Sequence, residues 1–138
     1  MMTHVRFIGR AIVLALFLGC GPAGPKVYPV TGTVKYEDGS IPTGEIVEVH
    51  FTPTEKNPKS HPATGAISAT GKYLLSSFAA EDGAMEGEYK VTFNILKSYI
   101  GTVSNLSPEF TRADQTPYTK TVKPGRNAFD FVVKKKPA

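Results

Sequence analysis

The chain has 138 residues, of which 41% are hydrophobic and 20% charged, with no tryptophan and a single cysteine. That length suits one domain with one core, and the balance of 16 Lys+Arg against 12 Asp+Glu is too weak for a nucleic-acid binder. A lone cysteine also excludes an internal disulfide, so packing alone has to hold the fold.

The chain opens with Arg6 and Arg10, unopposed by any acid, followed by the apolar run 11–18 and then Gly19 and Cys20. Gly21, Pro22, Gly24 and Pro25 follow and cannot continue a helix. A basic start, a short apolar core and small residues before a break predict a secretory signal, since about eight apolar residues fall far short of the ~20 that span a bilayer. Leu16-Phe-Leu-Gly-Cys20 resembles a bacterial lipobox, with Phe17 at the position usually held by leucine. The resemblance implies a thiol carrying diacylglycerol, cleavage before Cys20 and acylation of the new N-terminus by a palmitate-type chain. The expected organisation is therefore a signal peptide over 1–19, a lipidated Cys20 with a Gly/Pro spacer over 20–26, and one domain over 27–138. Without Arg6 and Arg10 the charge falls to about +2 over about 118 residues. The remaining positive charge gathers late in the sequence at Lys120, Lys123, Arg126, Lys134, Lys135 and Lys136.

Beyond the spacer the apolar period becomes two. Val30, Val34 and Tyr36 share a face with Gly32 between them, which predicts a half-buried strand over 30–36. Residues 37–40 form a turn, with Gly39 suited to positive φ. A second strand over 45–51 turns Val47, Val49 and Phe51 inward and Glu48 and His50 outward. Residues 54–64, with Pro58 and Pro62, read as a loop. Two short strands over 66–70 and 72–77 flank Gly71 and offer Ile67, Tyr73 and Leu75 to the core. After an acidic loop, 88–95 alternates cleanly, with Tyr89, Val91, Phe93 and Ile95 on one face. Lys97 to Pro117 is a long irregular segment whose Tyr99, Ile100, Leu106 and Phe110 suit it to cover a sheet edge. A closing hairpin is predicted from 118–122 and 127–133, joined by Lys123-Pro-Gly-Arg126, with Phe129, Phe131 and Val133 inward. Seven or so short strands and no helical period predict an all-β, seven-stranded antiparallel β-sandwich.

Val30-x-Gly-x-Val34, Asp38-Gly39, Gly44-x-Ile46-Val47, Gly71-Lys-Tyr73, Gly87-Glu-Tyr-Lys-Val-Thr92 and Gly125-x-Asn127-x-Phe129-Asp-Phe131 carry a family resemblance. Together they resemble the prealbumin-like (transthyretin-like) sandwich of carboxypeptidase regulatory-like domains. Pro108-Glu-Phe-Thr-Arg-Ala-Asp-Gln-Thr-Pro117 and Thr119-x-Thr-Val122 are similar to a signature of small planctomycete-type lipoproteins, with Phe110 as the aromatic. The resemblance implies a binding or spacer module with no assigned reaction.

Chemistry-bearing residues are sparse. The same fold hosts hydroxyisourate hydrolases ending in Tyr-Arg-Gly-Ser, whereas this chain ends in Lys-Lys-Lys-Pro-Ala138. Only His50 and His61 follow the leader, one on an outward strand face and one in a Pro-flanked loop, a poor disposition for an acid–base pair. Glu81, Asp82, Glu86 and Glu88 offer oxygen ligands for calcium without the spacing of an EF-hand, and read as a solvated loop. Lys35 with Asn127 or Asp130 has the chain order of an isopeptide crosslink, but the alternation points Lys35 and Asp130 outward. The sequence thus predicts no catalytic residue, no metal and no cofactor. It predicts a non-catalytic module in the cell envelope, bound to the membrane through Cys20 and contacting an unnamed envelope protein or glycan. A small-ligand or glycan-binding domain is the alternative, and a hydroxyisourate-hydrolase-like enzyme a more distant one.

Overall fold

A computed structural model describes residues 24–100 and 104–137; Cys20 and the leader lie outside this range. The elements are β1 (Val30–Tyr36), β2 (Ile46–Pro53), β3 (Ala63–Ala66), β4 (Lys72–Leu74), β5 (Gly87–Leu96), a 3-10 turn (Pro108–Phe110), β6 (Thr119–Val122), β7 (Asn127–Ala128) and β8 (Phe131–Val133). They form two four-stranded sheets, making the described chain nearly all β and sandwich-like. One sheet is antiparallel throughout, in the order β3-β2-β5-β6. In the other, β1 is central, antiparallel to β4 and parallel to β7 and then β8 along its other edge.

Period-two patterning explains the core. Val30, Val34 and Tyr36 from β1 meet Val49 and Phe51 from β2 and Tyr89, Val91, Phe93 and Ile95 from β5, all buried. Phe131 ties the sheets together. Its ring lies 5.0 Å from Tyr118, 5.4 Å from Phe93, and 6.2 Å from both Phe51 and Tyr73, centroid to centroid. These are the spacings at which aromatic pairs add to simple burial. Gly32 is required where β1 passes Phe129, because a Cβ there would overlap the Phe129 carbonyl. That carbonyl accepts the Tyr73 hydroxyl at 2.7 Å. Every buried side-chain nitrogen and oxygen among the described residues has a hydrogen-bond partner.

Several expectations change. The predicted closing hairpin does not form: β6 pairs with β5 in one sheet, while β7 and β8 pair with β1 in the other, so residues 123–126 cross between sheets. Asn127 pins this crossing, accepting the Lys123 N–H at 3.0 Å and donating to the Lys123 carbonyl at 2.9 Å. For the same reason the architecture is not wholly antiparallel. The predicted strand over 127–133 is also interrupted, giving eight segments. At the interruption the Asp130 carboxylate replaces a backbone acceptor and takes both the N–H and the hydroxyl of Thr33 at 2.9 Å. Finally, the strand expected over 66–70 lies instead at Ala63–Ala66, inside the expected loop and ending where the strand was expected to start, and Thr64 exchanges backbone bonds with Ser76, joining the two sheets along that side.

The long segment after β5 does cover an edge. Leu106 bridges Lys135, Ser107 N–H donates to the Lys134 carbonyl at 3.0 Å, and Lys136 N–H donates to Asn105 at 2.6 Å. The Tyr118 hydroxyl donates to the Val132 carbonyl at 2.6 Å. Leu106 and Phe110 are buried, whereas Tyr99 and Ile100, expected to pack, are exposed. Carbonyls and amides that would otherwise template another strand are thus occupied.

Candidate functional site

The residues singled out for chemistry are dispersed, and several have partners of their own. His50 Nε2 pairs with Glu48 Oε2 at 3.0 Å on the outer face of β2. His61 Nδ1 lies 2.8 Å from the Pro62 carbonyl, and its ring sits 4.7 Å from that of Phe78. In the acidic loop, the Asp82 carboxylate accepts the N–H groups of Ser77, Ala79 and Phe78 at 2.7, 3.0 and 3.1 Å. Desolvation pushes that carboxyl up, but these amides outweigh it and hold it below the usual range. Glu88 accepts the Thr54 hydroxyl at 3.1 Å. Among the described residues, no group of three or more His, Cys, Asp or Glu is arranged to hold a metal. Lys35 is exposed opposite Val132, Asn127 is bonded to backbone, and Asp130 to Thr33.

The pairings define two poles. Val30 aligns with Asn127, Val122 with Gly87, and Tyr28 exchanges bonds with Ala84. One pole therefore gathers the start of the domain with the loops 54–62, 75–86 and 123–126. Tyr36 aligns with Val133 because β8 runs parallel to β1. Residues 134–136 consequently leave at the opposite pole, about 20 Å away at the usual strand rise. The lysines that cluster in sequence are separated accordingly. Lys123 and Arg126 sit at the first pole and Lys134, Lys135 and Lys136 at the second. Lys120 lies 5.6 Å from the Phe129 ring and 5.9 Å from that of Phe131.

At the second pole the strapped segment and the β1 turn leave an open groove of about 650 Å³. Lys97, Lys135 and Lys136 line it with Ser40, Ser104 and Asn105, and among the described residues no carboxylate belongs to the lining. Lys135 stands 4.7 Å above the Tyr36 ring and is held at 3.0 Å by Asp38 in an adjoining recess. The Ser40 hydroxyl and N–H and the Lys135 ammonium keep the Asp38 carboxyl charged well below its usual range. Sequence reasoning found the lysine run but not Lys97, Ser40 or Asn105, since only the 106–135 bridge brings these segments together.

Two sheets sharing one aromatic core define the class as a sandwich-like all-β domain. No protein-family model matches the chain, and no curated protein does. A crystal structure of a DUF3823 family protein from Parabacteroides merdae is similar, with a TM-score of 0.51 at 16% identity. The match covers 81% of this chain and 48% of that one, so the chain spans about half the length of that protein. At this identity the likeness is one of fold.

Proposed function

We propose that the chain is a non-catalytic, lipid-anchored module of the cell envelope. Its domain is a prealbumin-like sandwich of the carboxypeptidase regulatory-like kind found in planctomycete-type lipoproteins. The observation that carries this reading is Gly19-Cys20, placed after a short apolar run and before a Gly/Pro spacer. Beyond the spacer, Tyr28 begins the ordered pairing. Each buried CH₂ contributes about 0.8 kcal/mol, so a diacylglyceryl thioether plus an N-terminal acyl chain suffices for stable attachment. The short spacer then keeps the first pole near the membrane and turns the second outward. Contact with a surface component, and not chemistry, suits a domain whose two histidines are each occupied by a separate partner.

The open groove at the second pole favours a second reading, a small-ligand or glycan-binding domain. A hydroxyisourate-type activity is less well supported, because His50 and His61 would have to act together. Mass spectrometry of the protein extracted from membranes tests the anchor. The expected N-terminal peptide begins at acylated Cys20, and Cys20→Ser releases the protein to the soluble fraction. An unmodified Cys20, or cleavage elsewhere, overturns the anchoring reading.

A further inference from the structure

We infer that the groove between the β1 turn and the strapped end of β8 is a binding site for an acidic polysaccharide. The inference deepens the envelope-binding reading and rests on it. Three ammonium groups line the groove, contributed by segments 38 residues apart in the chain at Lys97 and Lys135, with Lys136 beside the latter. The backbone bond from Lys136 to Asn105 and the bridge between Leu106 and Lys135 fix that juxtaposition. Among the described residues, neither Lys97 nor Lys136 has a carboxylate within 4.0 Å. Two like charges are therefore left facing an open space, a cost that an anionic ligand removes. Ser40, Ser104 and Asn105 add neutral donors and acceptors of the kind that match sugar hydroxyls.

The other polyanions fit less well. A single-stranded nucleic acid would stack its bases on an aromatic face, and Tyr36 is 6% exposed beneath Lys135; the charge balance of 16 Lys+Arg against 12 Asp+Glu is weak for a duplex. The headgroups of the anchoring leaflet lie at the wrong end, because β1 and β8 are parallel and the groove opens past Tyr36 while the chain enters before Val30. A carboxylate-bearing polymer of the outer envelope satisfies both constraints.

The test uses the full lipoprotein in neutral detergent, with calorimetric titration of polygalacturonate, dextran as the uncharged control, and glycerophosphoglycerol, the soluble headgroup of phosphatidylglycerol. Polygalacturonate is expected to bind, with affinity falling as salt rises, and dextran not to bind. Replacing Lys97 and Lys136 together by Gln is expected to weaken binding at least tenfold. Asn105→Asp, which puts a carboxylate in the groove, is expected to do the same. Lys59 and Lys123 replaced together by Gln remove equal charge from the other pole and should change affinity less than twofold. No binding of polygalacturonate, equal loss in the two double variants, or binding only to glycerophosphoglycerol overturns the site. Acylation of Cys20 is read independently by mass, so the groove can fail while the anchor stands, and the reverse.

Discussion

Gly32 and Tyr73 show how one contact constrains two strands. The Tyr73 hydroxyl reaches the Phe129 carbonyl only because β1 carries no side chain where it passes. Gly32→Ala should cost at least about 1–3 kcal/mol, as overpacking against backbone does, measured by urea unfolding. Tyr73→Phe should cost about 1 kcal/mol, the net value of one hydrogen bond. A second readout separates the two. Burial, and the nearby Asp130 charge to a lesser extent, push the Tyr73 phenol well above its ordinary value. Above about pH 10 the unfolded chain ionises this group while the folded chain does not, so stability falls as pH rises through that range. Tyr73→Phe should flatten that alkaline loss and Gly32→Ala should leave it. Equal alkaline slopes in all three proteins would show that Tyr73 titrates freely in the fold.

At the scale of elements, short polar devices do the work of missing backbone partners. Asp130 mends the gap between β7 and β8, and Asp82 organises the loop after β4 by collecting three successive amides. The folded carboxyl of Asp82 is depressed, so its stabilisation is complete above the ordinary aspartate value and is lost as pH falls through the depressed one. Asp38 and Glu109, also depressed by hydrogen bonds from Ser40 and Ser107, act in the same direction. The urea midpoint of the wild type should therefore drop on acidification below about pH 4. Asp82→Asn should be less stable at pH 7 and show a shallower acid slope. An unchanged slope would mean that the loop does not depend on the charge.

For the molecule as a whole, Phe131 is where both sheets meet in one aromatic cluster. Phe131→Ala should cost about 3–5 kcal/mol, a large share of the ~5–15 kcal/mol that holds a domain of this size. Calorimetry should show a markedly lower transition temperature for the intact domain. Phe78→Ala, at a side chain 50% exposed, should shift it little. Comparable losses at both positions would contradict the single shared core.

Alternation alone identified the inward residues of β1, β2 and β5, because a period of two assigns each side chain to a face before any partner is known. Turn chemistry placed positive φ at Gly39, observed at 83°. What alternation cannot carry is pairing. Whether Phe131 and Val133 face the core across from β6 or beside β1 is the same pattern in sequence, and only packing against the Phe93 and Tyr73 rings selected the parallel partner. The end of β3 nearest Pro62 was likewise illegible, since Ala63, Thr64 and Gly65 carry little apolar signal and are ordered by β2. The groove belongs to this second category. Its lysines were visible as a run at 134–136, but their meeting with Lys97 depends on which edge the 104–107 segment covers. Local chemistry therefore determined faces and turns, while the choice among sheet edges came from long-range burial, which no short window of the chain records.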